Sequence, residues 1–348
     1  MTTLFWKLWR RRGAQAAAGV ILAGGLAGGV AACGGSSSGD SGSGGSHISL
    51  VAYSTPGPAY TDHLIPAFQK TSQGQGASFS TSFAASGDQA RAVEAGQPAS
   101  VVHFSLTPDM QGVVDAGKVA KNWDQNPYHG FVQDSVVTFV VRKGNPKGIK
   151  TWDDLVKPGV EVVTPNPFSS GSARWNLMGA YGAKLEEGDS PAQAQAFLKK
   201  LLEHTVVQPP AASDALTAFT SGKGDVLLSY ENDAIAAKKA GESVDYVIPP
   251  DTILIQTPIA TTTDAPSQAK AFVKWLYTPT AQQIWADQGY RPVVKSVLAK
   301  NKSKFPTPPG LFTINKVGGW DKVATKFFDP TKGIVAGFEQ DLGVSVSG

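Results

Sequence analysis

Residues 164–176, TPNPFSSGSARWN, have the composition of a binding loop. Pro165 and Pro167 interrupt regular structure, the small residues 169–172 leave the backbone accessible, and a helical pattern begins at Ala173. The first N–H groups of a helix have no partner within the helix and carry the positive end of its dipole. This stretch therefore predicts an anion site that is formed by backbone N–H groups.

Three other places repeat this arrangement of a strand, small residues and then a helix. They are Tyr53–Pro56, Ala85–Asp88 and Ala211–Asp214. Taken singly, each of these junctions is typical of an ordinary helix cap or turn. In an open α/β sheet, ligands bind at the carboxyl ends of the strands, so all four junctions can point N–H groups at one ligand.

Residue groupings typical of catalysis are missing from the sequence. The five histidines (47, 63, 103, 129 and 204) have no metal-ligand spacing. There is no HExxH, no GxSxG elbow between a predicted strand and a helix, and no GKS/T ending of a nucleotide-binding loop. A binding protein without a metal or cofactor is therefore favoured over an enzyme.

The sequence alternates apolar, β-branched runs with helical patterns, which is typical of an α/β fold with mostly parallel strands. Strands are predicted at Ile48–Tyr53, Val101–Phe104, Val136–Arg142, Val160–Thr164, Asp225–Tyr230, Asp245–Ile248 and Thr252–Ala260. Helices are predicted at Tyr60–Thr71, Asp88–Ala95, Ala173–Leu185, Ala192–Glu203, Asp214–Thr220, Asp233–Ala240, Ser267–Leu276 and Thr280–Asp287. Four tryptophans (175, 275, 285 and 320) are predicted to pack in the core.

Residues 160–176 closely resemble the sulfate-binding proteins of bacterial ABC importers when they are read with VRKGNPK at 141–147 and WDDL at 152–155. The likeness continues through GDVLL at 224–228, YRP at 290–292, LFTI at 311–314 and GGW at 318–320. It implies a two-lobed type II periplasmic-binding-protein fold, with two crossover strands and a cleft between the lobes. We expect one lobe to comprise residues 48–132 and 252–348, and the other to comprise residues 133–251.

The resemblance also implies which residues bind sulfate, and they fall on the four junctions. The expected backbone N–H donors are Ser54, Ser86, Gly171, Ser172 and Ala212. Ser170 is expected to donate its hydroxyl.

The family has a Trp-Glu-Asn-Glu run whose indole N–H reaches the anion, whereas this sequence has Tyr230-Glu231-Asn232-Asp233. The Tyr230 hydroxyl can replace that donor, but a phenol can also accept a hydrogen bond. The alternatives that Tyr230 only packs, or that the ligand is thiosulfate or a larger tetrahedral oxyanion such as molybdate, stay open.

Sulfate offers only acceptor oxygens near neutral pH, so a site made of neutral donors satisfies it with charge-assisted hydrogen bonds. Hydrogen phosphate retains a proton that finds no acceptor in such a site. Arg174 is consequently expected to support the loop rather than bind the anion. Asp88, Asp214 and Asp233 are expected in first helical turns, facing away from the ligand. The alternative that they accept a hydrogen bond from a protonated ligand stays open.

The first 32 residues have the pattern of a lipoprotein signal peptide. Lys7 and Arg10–Arg12 precede an apolar run that ends in Val30-Ala31-Ala32-Cys33, where the cysteine would be lipidated. Residues 33–46 are a Gly/Ser-rich tether. These features predict an exported protein that is held by Cys33 at the outer face of the cell membrane.

The formal net charge of +3 includes the four cations of this leader, so the rest of the chain is close to neutral. No Lys/Arg cluster with interleaved aromatics suggests nucleic-acid binding. The expected partners are sulfate and an ABC permease and ATPase complex. A surface or sensor lipoprotein that does not transport is the alternative function.

Overall fold

A computed structural model describes residues 45–347. The predicted signal peptide and Cys33 lie outside the described residues, as does most of the predicted tether. Within the described part, no helix is both long and apolar enough to cross a membrane.

The strands form a mixed sheet in the spatial order β2-β1-β3-β9-β4-β7-β5-β6, with β8 and β10 also pairing with β4, and β11 with β9. The bounds of the strands are β1 His47–Tyr53, β2 Ser78–Ala84, β3 Val101–His103, β4 Phe131–Arg142, β5 Val162–Val163, β6 Thr205–Val207, β7 Val226–Tyr230, β8 Val244–Val247, β9 Asp251–Thr261, β10 Arg291–Pro292 and β11 Gly310–Phe312.

Helices join most of these strands. Their bounds are α1 Gly57–Ala59, α2 Ile65–Gln69, α3 Ser86–Glu94, α4 Thr107–Asp115, α5 Gly171–Glu186, α6 Pro191–Glu203, α7 Ala212–Thr220, α8 Glu231–Lys239, α9 Ser267–Leu276, α10 Pro279–Asp287, α11 Lys295–Lys300, α12 Trp320–Phe328 and α13 Ile334–Asp341. A π-helical turn at Tyr60–Leu64 connects α1 to α2, and 3-10 turns occupy Trp152–Val156 and Ile314–Val317.

Two long antiparallel strands, β4 and β9, connect the two ends of the sheet. The C-terminal part of β9 pairs with β3, whereas residues earlier in β9 pair with β4. The C-terminal part of β4 then pairs with β7 and β8. Both strands are mostly buried, and about half of their residues are β-branched, as is common in strands that are covered on both faces. The prediction of an α/β fold with two crossover strands is confirmed.

The apolar residues form separate cores on either side of these long strands. Phe68, Phe272 and Trp285 belong to the core that covers β1 and β3. Trp175 and Leu198 belong to the core around α5 and α6. All four tryptophans predicted to be buried are buried.

The C-terminal segment packs with the core around α5 and α6. Phe312, Trp320, Phe327 and Val335 are part of that core, and the Trp320 ring meets the Trp175 ring edge-on at 4.7 Å. The division of the chain into lobes stays a prediction. This packing favours placing residues from about 310 onwards with the α5 and α6 elements rather than with residues 48–132.

Most predicted elements are present, with shifted ends. The helix expected from Ala173 begins at Gly171, and the one expected from Asp214 begins at Ala212. Both helices therefore start within their predicted junctions. The elements that were not predicted are β2, β6, β10, β11, α4, α11, α12 and α13. The β2 sequence SFSTSFA is largely polar because it lies at an edge of the sheet, and the other missed strands have only two or three residues. The expectation of mostly parallel strands is wrong, because β4 and β9 pair antiparallel with their neighbours in the main sheet order.

Candidate functional site

Three of the predicted junctions are buried helix starts that lack a side-chain cap. α3, α5 and α7 follow the N-cap residues Ala85, Ser170 and Ala211, and none of these side chains accepts a hydrogen bond from its helix. The first residues Ser86 and Ala212 are only 2% and 4% exposed. Their N–H groups have no acceptor within the helix and little access to water, so a bound anion is the kind of partner that would satisfy them.

The loop before α5 is shaped by Asn166. Its side-chain oxygen accepts a hydrogen bond from the N–H of Phe168 at 2.7 Å, and its carbonyl accepts one from the N–H of Ser170 at 2.9 Å. These bonds turn the chain so that α5 begins at Gly171 with a buried first turn.

Arg174 lies on the back of the same loop. Its Nε donates to the carbonyl of Pro167 at 2.7 Å, and its guanidinium lies 5.1 Å from the centre of the Phe328 ring. Burial lowers the pKa of Arg174, and the nearby Asp109 carboxylate partly opposes that effect. These contacts hold the loop, as expected of a supporting residue.

The loop before α7 is joined to the loop before α5. The N–H of Asn166 donates to the carbonyl of Pro209 at 2.8 Å, and the Ser169 hydroxyl donates to the carbonyl of Pro210 at 2.8 Å. The two uncapped helix starts, α5 and α7, are therefore held side by side.

The C-terminal residues support both of these loops from behind. The Gln208 amide donates to the Glu339 carboxylate at 3.0 Å, and the Asn166 amide donates to the carbonyl of Ser345 at 3.0 Å. Burial raises the pKa of Glu339, and its bond with Gln208 opposes that rise.

Several hydrogen bonds connect the region of β3 and α3 with the loop and helix of α5. The N–H of Gly87 donates to the carbonyl of Ser169 at 3.1 Å, and the Trp175 indole donates to the carbonyl of Ser105 at 2.9 Å. A Cβ atom on Gly171 would lie 2.7 Å from Leu106 Cγ and 2.8 Å from the Ser105 hydroxyl oxygen. Only glycine permits this approach without movement of the neighbouring side chains.

Tyr230, at the end of β7, is fully buried and its hydroxyl lies 2.6 Å from the Ser105 hydroxyl. Burial raises the pKa of Tyr230, so the phenol is neutral and keeps its proton near neutral pH. The hydroxyl oxygens of Thr55 and Ser172 are also buried, and neither has a hydrogen-bond partner in the described part of the chain. The Tyr230 ring therefore packs in the apolar core around α5, while its hydroxyl meets the hydroxyls of Ser105 and Ser172.

A chain of buried polar side chains runs from the end of β1 into the fold. The Gln133 amide donates to the Tyr53 hydroxyl at 2.7 Å and to the Thr257 hydroxyl at 2.8 Å. His103 Nε2 is 3.0 Å from that Thr257 hydroxyl, and its Nδ1 is 2.8 Å from the Tyr60 hydroxyl. Burial lowers the pKa of His103 to about 3, so this ring contributes no positive charge at neutral pH.

The three aspartates expected to face away from the ligand differ in their surroundings. Asp88 forms an exposed ion pair with Arg91, and Asp214 is exposed. Asp233, in contrast, is 5% exposed and accepts a hydrogen bond from the Ser229 hydroxyl at 2.7 Å. Burial raises the pKa of Asp233 to about 6. Asp233 lies in the first turn of α8, as expected. Its orientation away from the ligand stays a prediction.

The predicted ligands lie at the ends of several elements. The adjoining starts of α5 and α7 contain Ser170, Gly171, Ser172 and Ala212. Ser86 begins α3, which is linked to the α5 loop through Gly87. Ser54 follows the last residue of β1, and Tyr230 is the last residue of β7.

Ser105 was missed by the sequence analysis. It lies between β3 and α4 in the run Phe104-Ser105-Leu106-Thr107-Pro108, which repeats the same arrangement of a strand, a small residue and a helix start. Its N–H donates to the Ser86 hydroxyl at 2.8 Å, and that hydroxyl donates in turn to Asp109 at 2.5 Å. That signal could have identified a fifth junction.

Comparisons with known proteins agree with this architecture. The family model described as bacterial extracellular solute-binding protein matches residues 48–291. A sulfate-binding protein of Synechococcus elongatus is 41% identical over 301 residues, which cover 82% of this chain and 86% of that protein. A thiosulfate-binding protein of Escherichia coli is 34% identical over 282 residues, covering 76% and 83% of the two chains.

A solved structure, the sulfate-binding protein SubI from Mycobacterium tuberculosis H37Rv, superposes with a TM-score of 0.79 at 46% identity. The match covers 81% of this chain and 99% of that one. The predicted type II periplasmic-binding-protein fold and the resemblance to sulfate-binding proteins are confirmed. This chain belongs to the family of bacterial extracellular solute-binding proteins.

Proposed function

We propose that the protein captures sulfate between its two lobes and delivers it to an ABC importer. The observation that carries this proposal is the set of buried, uncapped helix starts of α3, α5 and α7. Two of them, α5 and α7, are joined by direct bonds between their loops, and α3 is bonded to the α5 loop through Gly87 and Ser169. Donors of this kind bind a dianion without a cationic side chain.

The proposed ligands are the N–H groups of Ser54, Ser86, Gly171, Ser172 and Ala212 and the hydroxyls of Ser170 and Tyr230. Arg174 is proposed as a supporting residue only, because its Nε is already bonded to Pro167. The proposal includes no catalytic step, and the relatives named above are binding proteins.

Calorimetric titration of the purified chain with sulfate, thiosulfate, molybdate and phosphate tests the proposal. We expect sulfate to bind with one site per chain and molybdate, a larger anion, to bind more weakly. If the folded protein gives no heat and no thermal stabilisation with any of these anions, the proposed function is wrong.

Thiosulfate is the second candidate ligand, and the Tyr230 hydroxyl is the observation that favours it. A phenol hydroxyl donates from a different position than the family's indole N–H, so the site can accommodate the larger terminal sulfur of thiosulfate. A competition titration decides between the two anions: thiosulfate is the ligand if it displaces bound sulfate at equal or lower concentration.

We propose that the chain is exported and anchored through a lipid on Cys33, with no other membrane contact. The basic leader and the small residues before that cysteine support this proposal. Replacing Cys33 with alanine should release the protein from the membrane fraction without changing sulfate affinity. Sulfate uptake by cells that carry or lack the protein separates an importer subunit from a sensor, since only the importer subunit changes the uptake rate.

A further inference from the structure

Ser105 is placed at the candidate anion site by all of its polar groups. Its N–H donates to the Ser86 hydroxyl, and its carbonyl accepts from the Trp175 indole. Its hydroxyl lies 2.6 Å from the Tyr230 hydroxyl and would lie 2.8 Å from a Cβ on Gly171. Ser105 is 1% exposed. The side chain is therefore fixed at the first turn of α5, beside proposed ligands.

Counting protons shows what this pair of hydroxyls can offer. Ser105 and Tyr230 together carry two protons, and one of them lies in the hydrogen bond between the two oxygens. The other proton is free to point at a ligand. The bond can run in either direction, since either oxygen can be the donor. In both directions one oxygen presents a free donor and the other presents free lone pairs.

The lone pairs matter because they give the site an acceptor. The backbone N–H groups of α3, α5 and α7 can only donate, and an indole N–H in place of Tyr230 could only donate as well. Burial keeps the Tyr230 phenol protonated, so the pair retains both protons near neutral pH. The buried Ser172 hydroxyl lies close enough to Tyr230 to lower its pKa slightly against the effect of burial, so it adds a further group that can donate or accept at the same place.

We propose that Ser105 is a specificity-determining residue: its hydroxyl, paired with Tyr230, lets the site bind a singly protonated tetrahedral oxyanion, such as hydrogen phosphate, in addition to fully ionised ones. Tyr230 can accept a hydrogen bond from the O–H group of the ligand while it donates its own hydrogen bond to Ser105. Without Ser105, a Tyr230 hydroxyl that accepts from the ligand would have no partner in the pair to which it could donate. This inference rests on the proposed function, because it concerns the selectivity of the same site.

The test compares two oxyanions of similar shape, selenate without a proton and hydrogen phosphate with one. Competition against bound sulfate at pH 8 measures both affinities in the full chain and in Ser105→Ala. We expect hydrogen phosphate to bind the unchanged chain within about 1,000-fold of sulfate, short of the discrimination of about 10,000-fold or more that donor-matched sites reach. Ser105→Ala should weaken hydrogen phosphate by about tenfold or more, while sulfate and selenate change by less than about threefold.

Two further variants separate this role from a structural one. Tyr230→Phe should weaken all three anions, because it removes a proposed ligand, but its ratio of hydrogen phosphate to selenate affinity should fall to the same degree as in Ser105→Ala. The double variant should lower that ratio no further than either single one, because the two hydroxyls act as a pair. Ser49→Ala is the matched control. The Ser49 hydroxyl donates to the carbonyl of Pro98 at 3.0 Å near the first residues of β1, whereas the candidate site adjoins the last residue of that strand. This variant should change no affinity.

Each result has a defined meaning. Rejection of hydrogen phosphate by the unchanged chain, or an equal loss for all three anions in Ser105→Ala, overturns the inference and leaves sulfate binding intact. A fall in the melting temperature of ligand-free Ser105→Ala with unchanged selectivity also overturns it, because the serine would then be structural. Absence of sulfate binding in the unchanged chain overturns the proposed function itself.

Discussion

α5 and α6 follow one another in the chain, and each is preceded by a serine, but the two serines have different environments. Ser190, before α6, is exposed; its hydroxyl accepts from the N–H of Gln193 at 3.3 Å, and the Gln193 side chain accepts from the N–H of Ser190 at 2.9 Å. Ser170, before α5, is 3% exposed and caps nothing. A serine at the N-cap position therefore accepts a hydrogen bond from an N–H group of α6 but from none of the N–H groups of α5.

The α5 start lacks the stabilising serine cap that α6 has, and a bound ligand would supply acceptors in its place. A serine cap contributes about 0.5–2 kcal/mol to a helix. The α5 start forgoes that contribution inside the protein, where unsatisfied N–H groups cost most. A ligand that supplies the missing acceptors recovers the free energy, so binding at α5 should be strong, whereas none is expected at α6.

Two changes at the α5 start, Gly171→Ala and Ser170→Ala, should weaken sulfate binding most, by similar factors. Gly171→Ala adds a Cβ at this helix start. That Cβ would lie 2.7 Å from Leu106 and 2.8 Å from Ser105. Moving the α5 start away from these two side chains costs about 1–3 kcal/mol. Sulfate affinity, measured by calorimetry, should fall by about 5- to 150-fold. The control is Gly337→Ala in α13, where a Cβ meets nothing within 4 Å. Equal affinities in the two variants would show that the approach of Ser105 to α5 is unimportant.

Ser170→Ala removes the hydroxyl that does not cap α5. A hydrogen bond to a charged partner contributes about 1.5–3 kcal/mol, so sulfate affinity should fall by about 10- to 150-fold. The melting temperature of the ligand-free protein should be unchanged, because the hydroxyl caps no helix there. A loss of melting temperature without a loss of affinity would make Ser170 a structural residue like Ser190.

Ser190→Ala should give the opposite pattern. Loss of this exposed cap should lower the free energy of unfolding by about 1 kcal/mol, as measured by urea denaturation. Sulfate affinity should be the same as in the unchanged chain. Weaker binding in this variant would mean that the α6 start is coupled to the anion site.

The smallest expected effect is a pH dependence at the start of α8. The pKa of Asp233 is about 6 because the carboxyl is buried, and its charge acts on the buried phenols of Tyr53, Tyr230 and Tyr290. Above that pH the ionised carboxylate repels a dianion, so sulfate affinity should fall by about threefold between pH 5 and pH 7.5. Calorimetry with Asp233→Asn should show no such fall. A fall of the same size in that variant would assign the effect to another group.

The sequence predicted the backbone part of the candidate site better than its side-chain part. Helix starts have local signals, so the α3, α5 and α7 junctions were located within two residues. The pairing of Ser105 with Tyr230 joins positions 125 residues apart, and no local pattern encodes such a contact. The burial of Asp233 was missed for a related reason: an acid in a first helical turn is typically solvated, but Asp233 is buried and bonded to Ser229 of β7.

The support of both binding loops by distant residues bears on how the anion site forms during folding. Glu339 and Ser345 hold Gln208 and Asn166 behind the α7 and α5 starts, across separations of 131 and 179 residues. Contacts between residues so far apart in sequence form slowly, because the entropy of closing the intervening loop opposes them. We expect anion binding to appear late in refolding, together with these contacts, rather than with the first helices.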